Sequence, residues 1–189
     1  DRADTSANTL SADLLEELDA IVTALESQRP TGLVVRSAKK SGFIAGADVN
    51  EFRGVTDPGA VETQIGRAHA VIDRLEALRV PSVAVIHGFC LGGGLQIAML
   101  ADMRFAAEDS RFGIPAARLG IAYGYDGLRN LVSLVGPSQA RLLLYTGMRI
   151  DAHEALRIGL IDRMMGNEEL MPATLDIART IAGNAPLAV

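Results

Sequence analysis

Tryptophan is missing from this chain, and three tyrosines and five phenylalanines are its only aromatics. A ligand site built on stacked rings is therefore not the theme. One cysteine, Cys90, excludes an internal disulfide and makes a reducing, cytoplasm-like compartment the expectation. No apolar run reaches the ~18 residues that a membrane span needs, and no N-terminal stretch reads as a signal peptide. Positive charge is short too: 18 Lys and Arg against 23 Asp and Glu leave a formal charge of -5. Nucleic acid and anionic membrane surfaces are thus not expected partners. What is there is an ordinary globular composition, 49% hydrophobic and 22% charged over 189 residues, which fits one domain with a full core.

The most informative stretch runs from Val83 to Leu100. Val83-Ala84-Val85-Ile86 reads as a buried strand. Leu95 to Leu100 reads as a helix. Between them, His87 to Gly94 reads as a glycine-rich turn. The first amides of a helix have no intrahelical acceptor and lie at the positive end of its dipole. Three consecutive glycines, Gly92, Gly93 and Gly94, let a ligand reach that backbone directly. A tight strand-to-helix corner that binds nothing would have the same sequence.

Around this centre, strand and helix signals alternate. Ser11 with Asp13 starts a helix bearing Leu14, Leu15, Leu18, Ile21, Val22 and Leu25, and Pro30 and Gly32 end it. Leu33-Val34-Val35 is a strand, and 37–49 is small and glycine-bearing. A helix over 60–78 should bury Ile65, Ala68, Val71, Ile72 and Leu75. Later strands are expected at Met103 to Ala106, Phe112-Gly113 and Leu160-Ile161. Later helices are expected over 127–135, 138–145, 152–158 and 168–182. The alternation predicts an α/β fold with a largely parallel sheet and flanking helices.

Gly88-Phe89-Cys90-Leu91-Gly92 also fits a nucleophile elbow with cysteine in the serine slot. Asp126 and His153 follow in the order that a Cys90-His153-Asp126 hydrolase would need. A dinucleotide fingerprint fails, because Ile97 stands where its third glycine belongs.

Phe43-Ile44-Ala45-Gly46-Ala47-Asp48-Val49, taken with Ile86 to Gly94, resembles the crotonase family of enoyl-CoA hydratases and isomerases. Ala101 to Ala107, Phe112-Gly113-Ile114-Pro115 and Tyr145 to Ile161 continue the resemblance over almost the whole chain. It implies a crotonase-like spiral of ββα units that binds an acyl-CoA thioester as substrate, with no separate cofactor or metal, and assembles as a homotrimer or hexamer. In that family two backbone amides grip the thioester oxygen, and by motif position they fall on Ala47 and Gly93. CoA would lie around Ala45, Ala47 and Val49, with Lys39 or Lys40 near its phosphates. The family also has a strand hairpin before the segment matching Asp1-Arg2 and helices after Pro186, which this sequence lacks.

Two positions depart from the pattern. Where hydratases of this family carry glutamates, this chain has Gln96 and Ala116. Hydration needs one group to activate water and another to supply a proton. Gln96 can orient water but cannot take its proton, and Ala116 can do neither. An isomerase- or lyase-type reaction is therefore expected over two-glutamate hydration, with a non-hydrating CoA-thioester binder as the alternative. The acid or base is sought in Tyr123-Gly124-Tyr125-Asp126, with Asp126 first and Tyr125 or Tyr123 second. Asp126 could equally cap a helix that begins near Gly127.

Overall fold

The computed structural model describes residues 1, 5–48 and 58–185. Helix α1 (Ala12–Gln28) starts where the sequence places it, with the Ser11 hydroxyl accepting from the Leu14 amide at 3.3 Å. Strands then come in close pairs: β1 (Leu33–Arg36) with β2 (Gly42–Ile44), β3 (Ser82–Ile86) with β4 (Phe89–Leu91), and β5 (Met103–Ala107) with β6 (Arg111–Gly113). Helix α2 (Pro58–Glu76) follows the first pair and α3 (Gly93–Leu100) the second. The short α4 (Ala116–Leu119) and the long α5 (Tyr125–Thr146), kinked at Gly136, follow the third. Strand β7 (Arg149–Asp151), α6 (Ala152–Arg157), β8 (Arg163–Met165) and α7 (Asn167–Ala182) complete the chain.

Each strand pair gives its first member to one sheet and its second to another. One sheet has the order β1-β3-β5-β8, parallel throughout; the other has β2-β4-β6-β7, with only β6 and β7 antiparallel. This is the spiral of ββα units, with a largely parallel sheet and flanking helices. β3 is apolar and almost wholly buried, as a central parallel strand must be when both faces are covered. With no tryptophan, Phe43, Phe105 and Phe112 supply the largest enclosed side chains. Arg104 is buried as well; its guanidinium donates to the carbonyls of Leu160 (2.9 Å) and Ala101 (2.6 Å) and to Asp162 (3.1 Å). A charge that deep persists only when its donors are matched in this way.

Several expectations change. The stretch read as one glycine turn contains β4, and the small-residue segment before Ala47 contains β2. Both are three-residue strands held by pairing rather than by propensity. Leu160-Ile161 is not a strand: both amides donate to the Ala155 carbonyl in the turn after α6, and pairing with β5 starts from Asp162, whose amide donates to Arg104. Ile21 on α1 and Ile65 on α2 are exposed, whereas Val22, Val71 and Ile72 are buried. On α7, Leu170 is buried and Ile177 packs with Val83, Val85 and Phe105. Leu170 and Ile177 of the last helix therefore cover the first sheet, while Leu175 is exposed. Among the described residues no helix is long and apolar enough to cross a membrane.

Candidate active site

Two backbone segments meet at the start of α3. The first is the chain after β2. Leu10 and Ala47 form an isolated parallel bridge, in which the Leu10 amide donates to Gly46 (2.8 Å) and the Asp48 amide donates to Leu10 (3.1 Å). That pattern uses the groups on either side of Ala47. In strand geometry its own N–H points the opposite way, and it meets no acceptor among the described residues. The second segment is the turn from β4 into α3. Gly92 adopts φ 52°, a conformation that side chains resist, and its amide is tied to the Gly113 carbonyl at 2.8 Å. The helix ladder opens with Gln96 donating to Gly92 at 3.1 Å, which leaves the Gly93 amide outside it.

The segments are packed against each other. A Cβ on Gly94 would lie 2.3 Å from the Ile44 carbonyl oxygen, so only glycine lets α3 sit this close to β2. A Cβ on Gly93 would lie 3.9 Å from the Ala47 nitrogen and 2.7 Å from the Leu10 Cδ1. Ala47 and Gly93 are thus neighbours across a narrow gap, with Leu10 as its third wall. Sequence reasoning missed Leu10, because nothing local marks a residue before α1 as a partner of a turn about eighty positions later.

The remaining candidates are distributed around this gap. Gln96 lies one turn into α3 and is half-buried; Ala116 opens α4, also half-buried. Tyr125 and Asp126 are the first two residues of α5, both exposed. Gly124 is the N-cap and makes no side-chain bond, so α5 begins earlier than expected and Asp126 is not its cap. It stands in the first turn, where a carboxylate suits the helix dipole. The Tyr123 ring packs on the core and its hydroxyl is enclosed; burial foremost, then Cys90, pushes the phenol well above its ordinary range. A phenol held that firmly protonated is a poor base. His69 of α2 was not anticipated; its Nε2 lies 3.7 Å from where a Cβ on Gly124 would be.

Of the expected CoA contacts, Ala45 is exposed beside a shallow pocket that it shares with Ala7, Ser41, Ile44 and Phe89. Lys40 is exposed, whereas Lys39 is half-buried with its ammonium donating to the Thr5 carbonyl at 2.6 Å. Val49 lies outside the described residues. The hydrolase alternative fails on geometry. Cys90 is wholly enclosed on β4, and burial raises its thiol far above the ordinary value of 9.0. His153 is exposed on α6 and Asp126 on α5. A cysteine nucleophile needs a thiolate and an accessible sulfur, and this one has neither. Among the described residues no three His, Cys, Asp or Glu side chains group closely enough to share a metal ion.

Comparison with known proteins agrees with this architecture. The family model for enoyl-CoA hydratase/isomerase matches residues 2–189. The short-chain-enoyl-CoA hydratase of Clostridium acetobutylicum is 39% identical over 188 residues, covering 96% of this chain and 70% of that protein. The crotonyl-CoA hydratase of Syntrophomonas wolfei is 39% identical over 184 residues, covering 96% and 70%. The solved enoyl-CoA hydratase of Bacillus anthracis superposes with a TM-score of 0.90 at 35% identity, over 97% of this chain and 71% of that one. This chain belongs to the enoyl-CoA hydratase/isomerase family, with the crotonase fold.

Proposed function

We propose that the protein binds an acyl-CoA thioester with its carbonyl oxygen between the Ala47 and Gly93 amides, and that it moves a proton on the resulting enolate. The observation that carries this reading is the adjacency of those two undonated amides across the β2–α3 gap. Taking or adding a proton beside a thioester carbonyl builds negative charge on its oxygen. Two fixed N–H donors, one at a helix start, hold that charge without waiting for solvent to reorient. Backbone donors also account for small residues at both positions. The CoA portion would run past Ala45, Ala47 and Val49 toward Lys40.

With Gln96 and Ala116 in place of two acids, isomerase- or lyase-type proton transfer is favoured over two-glutamate hydration, with Asp126 as the transferring group and Tyr125 beside it. Assay of the purified protein with crotonyl-CoA, a 3-enoyl-CoA and a malonyl-type CoA ester tests this. Turnover of the second or third is expected, and Asp126→Asn should lower it at least ~10²-fold with CoA binding retained. Hydration is the second reading, favoured by the names of the relatives. Brisk hydration of crotonyl-CoA would establish it and would require acids at other positions; binding without turnover would leave a thioester-binding protein. A homotrimer or hexamer in the cytoplasm goes with this reading. Leu119, Ile121, Leu142 and Tyr145, exposed on and after α4 and on α5, are the apolar surface that supports assembly. Sedimentation showing only monomer at micromolar concentration would count against it.

A further inference from the structure

Leu10 touches both halves of the gap. Its main chain forms the bridge to Ala47, donating to Gly46 and accepting from Asp48. Its side chain reaches the other half: a Cβ on Gly93 would lie 2.7 Å from its Cδ1 and 3.9 Å from its Cγ. The backbone that carries this side chain is held on both sides. Before it, Asn8 is buried, and its side-chain amide donates to the Ser37 hydroxyl (3.1 Å) and the Phe43 carbonyl (3.4 Å). The Asn8 carbonyl accepts from the Ala45 amide at 2.8 Å. After it, Ser11 is the buried N-cap of α1. Leu10 itself is half-buried and packs against the core. The bonds that steady the two amide-bearing segments run outward, from 45–48 to Asn8 and Leu10 and from Gly92 to Gly113. Two amides kept open for a ligand cannot be spaced by bonding to each other. A side chain wedged between their backbones can space them, because close-packed atoms resist compression. Leu10 is placed to be that wedge.

We infer that Leu10 is a positioning residue, whose side chain sets the separation of the Ala47 and Gly93 amides so that both aim at one oxygen. This rests on the acyl-CoA reading above. Shortening the side chain leaves the main-chain bridge in place and lets the two segments collapse partly into the space. A misplacement of ~1 Å is enough to cost about 10²-fold in rate. The test is titration of the full chain with 4-aminocinnamoyl-CoA, a thioester whose absorption moves to longer wavelength as its carbonyl oxygen is polarised. The wild type should bind it with a red shift. Leu10→Ala should bind it with similar affinity and lose most of that shift, and Leu10→Val should lose part of it. Leu10→Met, close to leucine in volume, should keep it. Leu18→Ala truncates a leucine further along α1 that packs on the same core; it should melt lower and keep the full shift. A full shift in Leu10→Ala, or in Leu10→Val should the alanine variant not fold, would overturn the spacer role and leave the acyl-CoA reading standing. So would loss of probe binding in Leu10→Ala, or an equal loss of shift in Leu18→Ala, which would make the effect one of general packing. A wild type that does not bind the probe, or binds it without a shift, would overturn the two-amide site and this inference together.

Discussion

Replacing Gly93 with alanine separates the chemistry of the gap from its architecture. The new methyl would lie 2.7 Å from the Leu10 Cδ1 and 3.9 Å from the Ala47 nitrogen. The first contact is with the end of a flexible side chain, which can rotate away. The strain is therefore at the low end of the ~1–3 kcal/mol typical of overpacking. Gly→Ala in a helical conformation returns roughly 0.4–1 kcal/mol by restricting the unfolded chain, so the melting temperature should hardly change. The methyl and the displaced Leu10 both press on the space where a thioester oxygen would meet the two amides. Spoiling one such donor typically costs ~10²–10³ in kcat, and that loss is expected here, with KM moving little. Gly94→Ala is the control: its methyl would meet the Ile44 carbonyl at 2.3 Å, backbone against backbone, where nothing can rotate away. That variant should lose several degrees, at about 2–4 °C per kcal/mol for a chain of this size. Steady-state kinetics with the thioester that supports turnover, together with circular-dichroism melts, reads both. Wild-type kcat in Gly93→Ala would refute the two-amide site. A fall in its melting temperature matching that of Gly94→Ala would refute the separation of roles.

Two more expectations follow from the same geometry. Installing the missing acids, Gln96→Glu with Ala116→Glu, should raise hydration of crotonyl-CoA at least tenfold, since each acid–base group typically contributes ~10²–10⁴-fold; an unchanged rate would show that these positions do not face the acyl group. The buried Cys90 thiol and Tyr123 phenol are both raised above their ordinary values of 9.0 and 10.0. The folded state therefore holds protons that the unfolded chain releases. The stability tied to them is complete below about pH 9 and is lost as pH rises, by up to about 1.4 kcal/mol per pH unit for each group. Urea melts from pH 8 to 11 should show that decline, and Cys90→Ala should flatten it; an equal slope in the variant would mean that the thiol titrates freely.

What could be read from the linear chain was whatever local pattern encodes. The Ser11 cap, the helical periodicity of α1 and α7, and the buried run of β3 follow from propensity and burial within one element, and their alternation was enough for the α/β class. Gly92-Gly93-Gly94 stood out because consecutive glycines at a helix start leave backbone that a ligand can approach, whereas Ile44-Ala45-Gly46-Ala47 stood out through its resemblance to the crotonase family. Three-residue strands escaped, since β2, β4 and β7 exist through partners far away in sequence, and local propensity carries no trace of those partners. Only the tertiary structure brought Leu10 to Ala47 and Gly93, moved the start of α5 so that Asp126 is no cap, and turned Leu170 and Ile177 of α7 onto the first sheet. It also enclosed Cys90, whose neighbours resemble a nucleophile elbow, and thereby removed a thiolate that the sequence alone allowed. Burial and convergence depend on the summed packing of elements distant in sequence, so they became visible only when the strands were laid side by side.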